Sequence, residues 1–185
     1  ALPILDEEIK PQLKFGGRYI NEGEEVRHTA DKARFACTRT KNNPNLFYCE
    51  YSAAMDEEYH IRQYVIHNID KAAKEGWIRP YYQPVVWSED GELCGCEALA
   101  RWDDPDVGFL SPGKFIPVLE ECRQIHKLDR CVYEIVCKKM RECLDNNLPV
   151  FPTSLNFSRL DFELCDIVGE LDRLAEKYGV PKDQL

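Results

Sequence analysis

Glu97, Arg101 and Asn156 are residues of this chain whose types could take part in chemistry at a phosphate ester. Hydrolysis of a phosphodiester needs a carboxylate to hold a hard cation, which lowers the pKa of a bound water. It also needs a fixed positive charge on the non-reacting phosphate oxygens, which a guanidinium grips bidentately. Glu97 suits the first task and Arg101 the second. On a strand Glu97, Leu99 and Arg101 fall on one face, with Cys96, Ala98, Ala100 and Trp102 on the other. Counted as two strand rises, carboxylate and guanidinium share a surface roughly 7 Å apart. The same pair also suits a structural ion pair on a sheet face, a commoner arrangement than a metal site. Asn156, near the C-terminal end of its strand, offers a neutral carbonyl oxygen of the kind that joins carboxylates around Mg²⁺ or Mn²⁺. By type alone it is more readily a turn or cap residue at a strand end.

Other reactive residue types read as packing. Nine cysteines are an odd number, and Cys94 and Cys96 form a CxC with no second pair, so no zinc plan fits. They count here as small apolar residues. His28, His60, His67 and His126 are scattered without a ligand-like grouping, and Tyr81, Tyr82 and Trp87 read as packing rather than a platform for stacked bases. Charge narrows the partners. With Lys+Arg 24 against Asp+Glu 33 the net charge is -9, so the field repels polyanions and argues against a nucleic-acid polymer. No apolar run reaches the roughly 18 residues of a membrane span, and the first residues lack the plan of a signal peptide. The expectation is a cytoplasmic chain without membrane contact, in which Asn156-Phe157-Ser158 is not a glycosylation site.

The elements that must position these residues follow from periodicity. Short strands are expected at Leu13–Phe15 and Arg18–Ile20, a helix from the Thr29 cap to Asn42-Asn43-Pro44, and a strand over 46–51. An amphipathic helix spans 56–74 and stops at Gly76. Strands 78–87 and 93–102 flank the turn Ser88-Glu89-Asp90-Gly91, which is too short for a parallel crossover, so they pair antiparallel. Ser111-Pro112 opens a helix, a second runs over 127–144, a buried strand over 149–156, and one last helix over 161–178. Alternation of strand and helix from residue 93 onward is the rhythm of a parallel α/β sheet.

Tyr82-Gln83-Pro84, Glu97-Ala98-Leu99-Ala100-Arg101-Trp102, Ser111-Pro112 with Phe115-Ile116-Pro117, and Ser154-Leu155-Asn156-Phe157-Ser158 occur in that order, Gln83 fourteen positions before Glu97 and Asn156 fifty-nine after it. Together they resemble the EAL domain family, phosphodiesterases of the bacterial second messenger cyclic di-GMP. The resemblance covers 77–185 and implies the N-terminal half of such a domain, a partial TIM-like (β/α) barrel whose first strand is antiparallel. It implies Glu97 as catalytic residue and metal ligand, Asn156 as metal ligand, and Gln83, Leu99 and Arg101 as contacts to cyclic di-GMP. It implies a two-metal site for Mg²⁺ or Mn²⁺ that these residues only half build, because the family's later carboxylates, Lys and Gln have no counterpart here.

Residues 13–52 are similar to the tail of a GGDEF domain, the diguanylate cyclase fold, through Ala30-Asp31-Lys32-Ala33 and a short closing strand. Gly16-Gly17-Arg18-Tyr19 lacks the acidic residues of that signature. The expected organisation is a GGDEF-like remnant over 1–52, a connecting helix over 53–76, and the EAL half over 77–185. The expected parent hydrolyses cyclic di-GMP to a linear dinucleotide, and this chain alone is expected to be inactive. Two alternatives stay open: a lapsed EAL domain that binds cyclic di-GMP as a sensor, and an interaction module in which the 56–74 helix forms a homodimer.

Overall fold

The computed structural model describes residues 13–20, 22–41 and 43–185. The chain divides into two compact units, one ending at His60 and the other starting at Ile61. In the first, β1 (Phe15–Gly17) pairs in parallel with β2 (Tyr48–Glu50), and α1 (Val26–Lys41) packs on both. One strand through both glycines replaces the two expected on either side of them. The reason is a close approach: a Cβ on Gly16 would stand 1.9 Å from the Ala33 carbonyl oxygen and 2.5 Å from the Cys37 nitrogen, so glycine lets the strand lie directly on the helix. Beyond it Arg18 pairs with Glu24 and lies over the Tyr51 ring.

Helix α1 begins at Val26, ahead of the expected cap. Thr29 is buried inside it, with N–H and hydroxyl both on the Glu25 carbonyl. Of the expected stop, Asn42 lies outside the described residues. Phe35, Tyr51 and Tyr59 pack edge to face with centroids 5.6 to 6.2 Å apart and, with Ala36, form a small core. Because the Gly16 contact is to backbone that cannot move aside, Gly16→Ala should cost about 3 kcal/mol, the upper range for overpacking. Loss of hydrogen-exchange protection across α1 is the measurement; unchanged protection would refute the close-approach account.

The division falls inside α2 (Asp56–Lys74), which ends just before Gly76 at φ +73°. In the second unit β3 (Ile78–Val86) runs antiparallel to β4 (Leu93–Asp104), from Ile78 opposite Trp102 to Val86 opposite Leu93. Their turn is closed by Trp87 N–H on the Glu92 carbonyl, with Gly91 at φ +77°. The other edge of β4 takes β5 (Gly108–Leu110), antiparallel and not expected from sequence, and β6 (Thr153–Leu155), parallel. Strand β6 is far shorter than the expected 149–156. Pro149 and Pro152 have no N–H to give a ladder, and Pro152 contributes only its carbonyl, to Cys96 N at 2.9 Å.

Four helices follow: α3 (Pro112–Glu121), α4 (Ile125–Asp145), α5 (Asp161–Leu164) and α6 (Ile167–Tyr178). The single helix expected over 161–178 is broken at Cys165, which is extended, and Asp166 recaps the chain by accepting from Gly169 N at 3.1 Å. Ile78, Ala98 and Trp102 lie buried beneath side chains of these helices and α2, including Val65, Ile69, Phe115, Leu128 and Val136. The result is a mixed α/β fold. Among the described residues no helix is long and apolar enough to cross a membrane.

Candidate functional site

The even-numbered side of β4 goes to this core, so the odd-numbered side is left to face away from it. Glu97, Leu99 and Arg101 sit there, half-buried. Register adds the neighbours: Gln83 stands opposite Glu97, Tyr81 opposite Leu99 and Arg79 opposite Arg101, all exposed or nearly so on β3. On the other edge Ser154 pairs with Glu97. Two residues later the chain has left β6, and Asn156 reaches back so that its Nδ2 donates to Glu97 Oε1 at 2.6 Å. The fold thus brings Gln83, Glu97 and Asn156 to one place on the sheet.

Arg101 stands apart from them. Four strand rises, about 13 Å, separate its Cα from that of Glu97, not the two rises counted in the sequence reading. Among the described residues no ion pair joins the two side chains. The guanidinium donates instead to the Ala100 carbonyl at 2.8 Å and lies 5.5 Å from the Tyr81 ring centroid. Leu99, Arg101 and Asn156 line a cavity of about 90 Å³ with Ile116, Val132 and the carboxyl-bearing Asp129 of α4. Burial first, then neighbouring Asp161, pushes the Asp129 carboxyl well above the usual carboxylate range.

With its N–H on the carboxylate, the Asn156 amide needs only to turn over to set a carbonyl oxygen beside Glu97. That donor set, one carboxylate and one amide oxygen, fits part of the shell of a hard divalent cation. Among the described residues no group of three or more His, Cys, Asp or Glu side chains could hold a metal alone. The cysteines are free thiols. Cys94 donates to the Val85 carbonyl at 3.3 Å, Cys96 lies 3.2 Å from Thr153 Oγ1, and burial pushes Cys131 and Cys137 up to about 11. Cys131 and Cys137, held protonated by burial, are poor nucleophiles and ligands.

Sequence reading missed Tyr81 as a member of this face. It is 55% exposed, whereas packing had been expected of it. Its parity with Gln83, two positions on, is the signal that could have found it. Asp129 and Asp161 carried no such signal, because α4 and α5 meet the site only through the fold.

A family model described as EAL domain matches residues 66–185. The chain is 32% identical over 135 residues to the oxygen sensor protein DosP of Escherichia coli, covering 73% of this chain and 17% of that protein. It is 27% identical over 167 residues to the bifunctional diguanylate cyclase/cyclic di-GMP phosphodiesterase MucR of Pseudomonas aeruginosa, covering 90% and 24%. Among solved structures, the PaMucR phosphodiesterase in complex with c-di-GMP superposes with a TM-score of 0.56 at 28% identity, over 63% of this chain and 47% of that one. The chain therefore spans less than a quarter of the length of these two curated relatives.

Proposed function

The chain belongs to the EAL domain family, and we propose that it supplies the N-terminal half of a domain that hydrolyses cyclic di-GMP to a linear dinucleotide. The observation that carries this reading is the contact of Asn156 with Glu97 on the same sheet face as Gln83, Leu99 and Arg101. Residues 77–185 would form the opening of a (β/α) barrel, 53–76 the connecting helix, and 1–52 a GGDEF-like remnant. The parallel β1–β2 pair backed by α1 is compatible with such a remnant.

In this reading Glu97 and Asn156 hold one Mg²⁺ or Mn²⁺ through oxygen, and later residues of the domain complete a two-metal site. Bound there, the metal supplies an acidified water and charge neutralisation at phosphorus. The protein's own groups do the rest. Arg101, already turned along the strand by the Ala100 carbonyl and the Tyr81 ring, offers its remaining N–H groups to the non-reacting phosphate oxygens. Leu99 lies between Arg101 and Glu97 as the apolar contact, and the Gln83 amide donates to or accepts from the nucleotide beside Glu97. A cytoplasmic setting suits a chain with free thiols.

Hydrolysis of cyclic di-GMP by the complete domain, supplied with Mg²⁺ or Mn²⁺, is the test; no linear product under either metal would refute the reading. Ligand binding separates the role of Arg101. Arg101→Ala should weaken cyclic di-GMP binding by about 1.5–3 kcal/mol, the range for losing a charge-assisted hydrogen-bonding partner. Unchanged affinity by calorimetry would leave Arg101 as a packing partner of Tyr81 alone.

A further inference from the structure

Ser158 lies two residues past Asn156, and its backbone N–H is held by two carboxylates at once, 3.1 Å from Asp129 Oδ2 and 3.0 Å from Asp161 Oδ2. Asp129 comes from α4 and Asp161 opens α5, so the loop behind Asn156 is gripped from two elements. Its hydroxyl donates to Glu120 Oε1 at 2.8 Å, a third carboxylate, from α3. Asp161 is fully buried, and among the described residues its Oδ1 has no hydrogen-bond partner. Two ionised carboxylates converging on one donor would repel each other and leave that oxygen unpaired. A single proton removes both difficulties. Carried on Asp129 and donated to Asp161 Oδ1, it cancels one charge and gives the orphaned oxygen a partner. Burial and the nearness of Asp161 favour a protonated Asp129.

We propose that Asp129 and Asp161 form one proton-sharing clamp, a pair of positioning residues that fix the Ser158 backbone and so hold Asn156 across from Glu97. Its bearing on metal binding rests on the function proposed above, but the clamp can be tested without it. An amide is the neutral isostere of a protonated carboxyl. In Asp129→Asn the carbonyl oxygen still accepts from Ser158 N–H and the amide N–H still reaches Asp161 Oδ1. In Asp161→Asn the roles exchange, with Asp129 ionised. The double variant sets two NH₂ groups against each other with no acceptor, and Asp129→Ala empties the position.

The experiment is NMR on the labelled 185-residue chain. Carboxyl carbon shifts should account for one proton between Asp129 and Asp161 at neutral pH. The Asn156 side-chain amide, bonded to Glu97, should exchange on the order of tenfold more slowly than a free amide. Each single Asn variant should keep that protection within about twofold, whereas Asp129→Ala and the double Asn variant should lose it. Two ionised carboxylates, or an Asn156 amide equally protected in Asp129→Ala, would overturn the clamp. Should the Ala variant fail to fold, single against double Asn decides, and loss in either single variant is the refuting outcome. Failure of the proposed function looks different: no cyclic di-GMP hydrolysis by the complete domain, with these signals intact.

Discussion

Glu97→Gln in a complete domain is expected to lower cyclic di-GMP hydrolysis by on the order of 10³-fold, about 4 kcal/mol of transition-state stabilisation. The substitution removes a charge and almost no volume. Gln keeps an oxygen that can still accept from Asn156 Nδ2, and the strand pairing of Glu97 with Gln83 and Ser154 is backbone and unaffected. Thermal stability should therefore stay within about 0.5 kcal/mol of the parent. What is lost is the anionic oxygen, and a neutral amide holds Mg²⁺ or Mn²⁺ much more weakly. Hydrolysis should be followed for the 185-residue chain, the complete domain and its Gln variant with each metal. The short chain should show no turnover, because one carboxylate and one amide cannot hold two cations. Robust activity in the Gln variant or in the short chain would show that the metal site is assigned wrongly.

The face that carries Glu97 was readable because it depends on local rules. Period-two alternation separates Glu97, Leu99 and Arg101 from Ala98 and Trp102, and Asp90-Gly91 with Gly91 at positive φ closes the antiparallel turn that sets Gln83 opposite Glu97. Features that depend on distant partners were not readable. Strand β5 is the three residues Gly108–Leu110, too short for any period, and exists because the end of β4 offers it a ladder. Prolines at 149 and 152 are visible in the sequence, but an apolar run outweighed them, and β6 shrank accordingly. Asp161 accepts from a backbone three residues away, yet its pairing with Asp129 needs the packing of α4 against the loop after β6. The metal and the nucleotide came from the resemblance to a family, since residue types alone allowed an ion pair and a turn.

The second large effect belongs to Asp104, whose importance for stability no motif announced. Its carboxylate is 3% exposed and accepts from four donors: Tyr64 Oη at 2.8 Å, Trp102 Nε1 at 2.9 Å, Asp106 N at 2.9 Å and Val107 N at 3.2 Å. It therefore ties α2, the end of β4 and the turn into β5 together, and it satisfies the one polar atom of the fully buried Trp102 indole. Asp104→Ala leaves these donors without an acceptor. At about 1 kcal/mol or more for each, the loss should be about 3–5 kcal/mol. Asp104→Asn keeps one oxygen but turns an NH₂ toward donors, so about half that loss is expected.

The pH dependence has a definite sign. Burial pushes the Asp104 carboxyl up, but the hydrogen bonds from Asp106, Trp102, Tyr64 and Val107 together outweigh it and hold the carboxyl below the usual carboxylate range. A group lowered in the folded state contributes stability that is present above its unfolded value, about 3.9, and is lost as pH falls through the folded value. Acid should therefore erode the parent chain more steeply than the Ala variant, the gap between them narrowing as pH falls below the unfolded value and through the folded one. All three tryptophans, Trp77, Trp87 and Trp102, lie in the second unit, so urea unfolding followed by their fluorescence at neutral and acid pH reports this region directly. A loss under 1 kcal/mol at neutral pH, or parallel acid profiles in the two proteins, would mean that water replaces the carboxylate at these donors and that Asp104 is not what holds the strand end to α2.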